Sequence, residues 1–285
     1  MFFEISHKTT YTYSRPVFLE LHQLRIRPRC DGVQNLTYFE SKVEPRPSGS
    51  ADGLDIDGNC VENVWFQGLT DKLLVESRAK IITQYRNPFN YILAERADRL
   101  PVSYQEPFQA YLAPYTVRRN ESHLVEQFAR HIANRTEWKT LRFLTMLTRE
   151  ISEGFQKTAR GVGALRSAEE TYLSRVGSSP DLAVLFMDTC RYVGIAARLV
   201  NGYYDDGGAK DRLTLHSWGE VYLPGVGWRG YDPSLGLAVT DRHVAIAAAG
   251  DPLLSAPVSG TFRGNAVSSE LRAEIDIKVA DADAA

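Results

Sequence analysis

No stretch of this 285-residue chain approaches the roughly 18 consecutive apolar residues that a membrane-spanning helix needs. Cysteine is scarce. Cys30, Cys60 and Cys190 are odd in number and unclustered, which excludes a zinc pattern and a disulfide framework. A reduced cytoplasmic setting is therefore the expectation. Excess charge of either sign is also missing: a net charge of −2 gives no electrostatic argument for nucleic acid or an anionic membrane as partner. The opening Met1-Phe2-Phe3-Glu4-Ile5-Ser6-His7-Lys8 lacks the basic start, apolar stretch and cleavage site of a signal peptide. There is no internal repeat and no low-complexity tract. What the chain does have is enough length and apolar content to bury a large core in one or two domains.

Residues 1–85 carry β-type patterning, as in Thr9-Thr10-Tyr11-Thr12-Tyr13 and Gln23-Leu24-Arg25-Ile26-Arg27, separated by turn clusters such as Asp57-Gly58-Asn59. Residues 86–118 hold Pro88, Pro101, Pro107 and Pro114 and read as an extended connector, packed on a surface by its many aromatics. Two helices are expected next. One starts at Asn120-Glu121-Ser122, with Leu124, Phe128 and Ile132 on one face; Thr136 is expected to cap the second, with Leu141, Phe143, Leu144, Leu147 and Ile151 inward. Residues 157–166, with Gly161 and Gly163, read as flexible. A third helix starts near Ser179 and ends at Gly194. Strands follow over 197–204, 213–223 and 228–232, and a last one over 271–279.

Three short segments carry the candidate chemistry: Gly177-Ser178-Ser179-Pro180-Asp181, Leu215-His216-Ser217-Trp218 and Gly230-Tyr231-Asp232-Pro233. Ser-Pro-Asp before an apolar run places Ser179 at a helix cap, Pro180 at the first helical position and Asp181 in the first turn. A capping serine and a nucleophile at the positive end of a helix occupy the same place, and local sequence does not separate them. A lone strand histidine such as His216 is ordinarily structural, and Asp232 before a proline is a common strand-ending turn. Together the three match a nucleophile, a base and an orienting carboxylate in chain order, and their side chains are expected to converge. His243 and Asp241 are too isolated to assign.

These segments resemble the transglutaminase-like core. Its Gly-x-Cys-x-Asp-x-Ala block is matched by Gly177 to Ala183, with Ser179 where the family carries its nucleophilic cysteine. Gly194-Ile195-Ala196-Ala197-Arg198, Asn201-Gly202-Tyr203, the His-x-Trp-x-Glu-Val block from His216 to Val221 and the Gly-Trp-x-x-x-Asp-Pro block from Gly227 to Pro233 extend the likeness. His7, Thr10-Tyr11, Leu24-Arg25 and Asp57-Gly58-Asn59 resemble the β-domain that precedes this core in bacterial members. The resemblance implies an α+β chain: an N-terminal β-sandwich-like domain (1–85), a packed connector (86–118) and a papain-like or transglutaminase-like core (119–285), with helices packed on an antiparallel sheet. It implies Ser179 in place of the nucleophilic cysteine, His216 as base, Asp232 as the residue orienting the imidazole, and Trp218 lining the substrate site. The implied activity is acyl transfer through an acyl-enzyme, as amide or peptide hydrolysis or aminolysis. No cofactor is needed, and nothing argues for metal ligands. The partner is a peptide, protein or small-amide substrate.

The missing thiol is the main departure, since a hydroxyl needs its proton removed in concert with attack. Cys190 lies eleven residues along the same helix, about 16 Å away at 1.5 Å per residue, and cannot substitute. Two readings stand open: an acyl-transfer enzyme, either a serine variant or a cysteine enzyme whose nucleophile has been replaced and whose activity is reduced, and a non-catalytic peptide- or amide-binding member. Arg191 and Arg198 flank the helix–strand junction and are expected to be structural.

Overall fold

The computed structural model describes residues 1–118, 121–159, 165–207 and 215–280, an α+β arrangement. Gly161 and Gly163 of the expected flexible piece lie outside the described residues. The N-terminal strands are β1 (Phe2–Leu24), β2 (Gln34–Glu44), β3 (Gly49–Leu54), β4 (Cys60–Trp65) and β5 (Thr70–Thr83). β1 organises them. Its register against β5 shifts between Thr12 and Val17, a stretch where Pro16 offers no N–H to a ladder. Ahead of the break β1 pairs along β5; beyond it, His22 to Leu24 pair with β4. The sheet curls at this point, and Tyr13, Val17, Leu19, Val64 and Val75 fill the enclosed space.

The connector is not wholly extended. It contains α1 (Phe108–Thr116), with Pro107 at its N-cap and Pro114 inside. The run Phe108 to Ala113 has no β-branched residue, and its helix-forming content outweighs the prolines. α2 (His123–Arg135) buries Val125, Phe128, Ala129, Ile132 and Ala133; α3 (Thr140–Gly154) buries Phe143, Leu144, Leu147 and Ile151 at the same spacing. Thr136 does not cap α3. It ends α2, where its hydroxyl donates to Ile132 O at 2.9 Å and Ala133 O at 3.1 Å. β6 (Gln156–Lys157) and β7 (Val176–Gly177) bracket α4 (Ala168–Ser174), a helix absent from the sequence reading although Ser167 and Glu170 form its capping box. α5 (Ser179–Tyr192) follows and is buried on nearly every side.

The core sheet consists of β8 (Ala197–Tyr204), β9 (His216–Leu223), β10 (Gly227–Asp232), β11 (Leu237–Ala238) and β12 (His243–Ala249), all antiparallel in the order β11-β10-β9-β8-β12. Helix α5 lies on β8 and β9. That contact needs Gly219, because a Cβ there would come within 2.5 Å of the Phe186 ring. The last strands are β13 (Val258–Arg263), which the sequence does not announce, and β14 (Ser269–Ala280), which covers the expected strand at 271–279; the resemblance assigns both to the 119–285 unit. They pair instead with β1 in the N-terminal sheet. No described helix is long and apolar enough to cross a membrane.

Candidate active site

The start of α5 separates the two roles, cap and nucleophile, that the sequence leaves merged at Ser179. The cap is Ser178, not Ser179. Ser178 donates its backbone N–H (2.9 Å) and its hydroxyl (2.6 Å) to Asp181 Oδ2, while Asp181 Oδ1 accepts the Arg166 N–H at 3.0 Å. Ser179 is therefore the first helical residue, relieved of capping. It is half-buried at a terminus whose first N–H groups have no intrahelical acceptor. Its hydroxyl makes no hydrogen bond among the described residues, to His216 or to any other.

His216 opens β9 and Asp232 closes β10. These strands are neighbours, with Tyr231 opposite Gly219, so the two side chains meet at one end of the sheet. His216 Nε2 lies 2.5 Å from Asp232 Oδ2. The other oxygen, Oδ1, accepts from Ser234 N–H at 2.9 Å, the Ser234 hydroxyl at 2.7 Å and Leu235 N–H at 3.2 Å. Burial, complete for Asp232, pushes its carboxyl up; the charge and hydrogen bond of His216, with further bonding from His243, outweigh this and hold it well below the usual carboxylate range. Because Nε2 is committed to Asp232, Nδ1 is the ring nitrogen left to act on a substrate or nucleophile. His216 and Asp232 are thus brought together directly, whereas Ser179 shares no hydrogen bond with either among the described residues.

His243 sits in no motif of the sequence, yet its Nε2 lies 3.2 Å from Asp232 Oδ2. The pairing of β12 with β8 sets His243 opposite Tyr204, a register that no local spacing announces. Asp241 is not part of the site; its carbonyl accepts from the Thr83 hydroxyl at 2.5 Å. Trp218, expected to line the substrate site, is 1% exposed and presents no surface to a ligand. Its ring packs against His243 at 5.2 Å and His216 at 6.3 Å, so it shapes the site from behind. Gly202 admits this packing, since a Cβ there would meet both Val244 O and the Trp218 ring.

His216, Asp232 and His243 bring three ligand-type atoms within 4.8 Å of one another, the spacing of a group that could hold a metal ion. Behind them Glu220 joins Arg198 at 2.7 Å and Arg29 of the N-terminal segment at 3.1 Å. Burial raises its carboxyl, but the two guanidiniums bring it down to about 2. Arg191 spends its guanidinium on the carbonyls of Tyr115, Val117, Ala197 and Gly250, which ties α1, β8 and the end of β12 to α5. Cys190 is fully buried, and burial pushes its thiol well up, so it offers no nucleophile.

Residues 3–81 match the family model of the bacterial transglutaminase-like N-terminal region, and residues 116–233 match that of the transglutaminase-like superfamily. No curated protein matches. Among solved structures, one from Cytophaga hutchinsonii, provisionally described as a cysteine protease, is similar over 99% of this chain and 92% of its own, with a TM-score of 0.73 at 19% identity. That likeness is one of fold. The periplasmic domain of TgpA from Pseudomonas aeruginosa gives a TM-score of 0.40 at 12% identity, over 80% of this chain and 87% of that one.

Proposed function

The chain belongs to the transglutaminase-like superfamily, with the bacterial-type N-terminal region ahead of the core, and from that premise we propose that it is an acyl-transfer enzyme acting on a peptide, protein or small amide through Ser179, His216 and Asp232. The observation that carries the reading is the His216–Asp232 bond of 2.5 Å, which leaves Nδ1 without a hydrogen-bond partner among the described residues, at the sheet end toward which α5 starts. The direction of α5 supports the convergence. Its C-terminal Arg191 bonds Ala197 O, and Ala197 sits opposite Val221 near the end of β9. Further back, Phe186 meets Gly219. Helix and strand therefore run the same way. From that contact, seven helical residues back to Ser179 span about 10.5 Å, and three strand residues back to His216 span about 10 Å.

In this mechanism Ser179 Oγ attacks the carbonyl carbon while His216 Nδ1 takes its proton. Asp232 steadies the resulting imidazolium through Nε2–H. Backbone N–H groups at the start of α5 receive the oxyanion. The tetrahedral centre collapses and the amine leaves with the proton from Nδ1, giving an acyl-Ser179 ester. Water or a second amine then attacks, again giving its proton to Nδ1, and Ser179 is released. A hydroxyl gains less than a thiol from the helix terminus and the histidine, so turnover is slow relative to a cysteine at the same place. The non-catalytic reading draws on one observation, the lack of a hydrogen bond between Ser179 and His216.

A p-nitrophenyl acyl ester followed by intact-mass analysis and peptide mapping decides between them. The Ser179→Cys variant should acquire one acyl group at position 179, and its His216→Ala derivative should lose most of that reactivity. The parent should acylate at the same position more slowly. Absence of an adduct at position 179 in both parent and Ser179→Cys would favour a binding cleft.

A further inference from the structure

Asp232 Oδ2 serves two imidazoles, not one. His216 Nε2 meets it at 2.5 Å from the open side, and His243 Nε2 meets it at 3.2 Å from the interior. The His243 side chain is fully buried. On its far side the Thr240 N–H points to Nδ1 at 3.4 Å, so Nδ1 accepts and the ring proton sits on Nε2, facing the carboxylate. Burial lowers the basicity of His243, against the opposing pull of Asp232. A metal at Nε2 would need that atom bare and the proton moved to Nδ1, where the Thr240 N–H already points. The arrangement is suited to hydrogen bonding rather than ligation.

We propose that His243 is a positioning residue: a neutral Nε2–H donor that holds the Asp232 carboxylate in the one orientation that turns His216 Nδ1 toward Ser179. Ser234 and Leu235 fix Oδ1; His243 supplies the restraint on Oδ2 that does not depend on His216. The N-terminal domain in turn fixes His243. The Thr83 hydroxyl holds Asp241 O, and the Gln34 amide bonds both N–H and C=O of Ala245, two residues either side of His243. The N-terminal sheet thereby reaches the proposed catalytic carboxylate through a single strand start. This inference deepens the acyl-transfer reading and rests on it.

The test is nitrogen-15 NMR of the histidine rings in the full chain, for the parent, His243→Gln and His243→Leu, with alkylation rates at position 179 measured for each in the Ser179→Cys background. In the parent, His243 should report the neutral Nε2–H tautomer. The His216 Nε2 proton should lie far downfield, as a short bond to a carboxylate requires. His243→Gln keeps an N–H near the Nε2 position and should preserve that resonance and most of the alkylation rate. His243→Leu fills the space without a donor and should shift or broaden the resonance and slow alkylation by roughly 10- to 100-fold. A general loss of packing would impair both variants alike, so rescue by Gln marks the hydrogen bond. If His243→Leu does not fold, the parent tautomer and the His243→Gln spectrum decide. An Nδ1–H or cationic His243 in the parent, or a His216 proton unmoved in a folded His243→Leu, would overturn the proposal. If position 179 is unreactive in every background while the ring resonances behave as stated, the acyl-transfer reading fails and the restraint on Asp232 stands.

Discussion

At the scale of the residue, buried titratable groups make the chain's response to acid specific. His7 is 2% exposed, between Tyr203 OH and the Thr9 hydroxyl at 3.0 Å each, and burial brings its pKa down to about 4. The folded state therefore prefers the neutral ring. Its contribution is complete above the unfolded value of roughly 6.5 and is lost as pH falls toward 4, where the unfolded chain binds a proton that the folded chain refuses. Glu220, held at about 2, adds a second loss as pH falls below roughly 4.5. Denaturant midpoints should thus decline from about pH 6.5 downward, and His7→Gln should remove roughly 2–4 kcal/mol of the decline between pH 6.5 and 4. An unaltered pH profile in that variant would mean that His7 does not titrate with folding. Residues also mark where the sequence was legible. His216 and Asp232 could be paired because adjacent strands carry them. The Ser-Pro-Asp signal puts the cap at Ser179; the structure gives it to Ser178, whose N–H and hydroxyl both reach Asp181 Oδ2. His243 was illegible because its partner is set by strand order, not by spacing.

At the scale of the element, β12 is an edge strand of the core sheet, and its outer backbone groups need partners. Two side-chain amides from the N-terminal domain supply them. Gln34 bonds the N–H and C=O of Ala245, and Asn59 donates to Ala248 O at 2.7 Å and accepts from Ala248 N–H at 2.8 Å. The Asp57-Gly58-Asn59 turn, read in the sequence as punctuation between strands, is therefore also a docking device. Asn59→Ala leaves a buried N–H and a buried C=O at Ala248 without that amide and should cost about 1–3 kcal/mol. Hydrogen exchange at Ala248 should accelerate more than exchange in α3, which Asn59 does not contact. Equal acceleration everywhere would indicate global loss instead of a released edge. The apolar faces of α2 and α3, with their strong periodicity, followed the sequence closely, although α3 starts at Thr140 and not after Thr136. α1 and α4 did not: proline masks the first, and the second is seven residues long, too short for an apolar period to emerge.

At the scale of the whole molecule, the N-terminal sheet and the core are joined by a common interior. Phe3, Ile5 and Ile81 pack with Tyr203, Val244 and Ile246, and β13 and β14 carry the chain back to β1. Family blocks in the sequence pointed to an α+β fold, but not to this return, which brings strands from the two ends of the chain together and has no local signature. The joined interior holds β8 and β12 firmly, and β8 and β9 carry α5. On the proposed reading this framework sets position 179 at a helix terminus beside Nδ1 of His216. The most direct measurement is the pH dependence of iodoacetamide alkylation at position 179 in the Ser179→Cys variant, with Cys30, Cys60 and Cys190 followed in the same digest. The expected half-point is well below the ordinary thiol value of about 8.5, rising toward it when His216→Ala is added. A half-point at or above about 8.5, unmoved by His216→Ala, would contradict it.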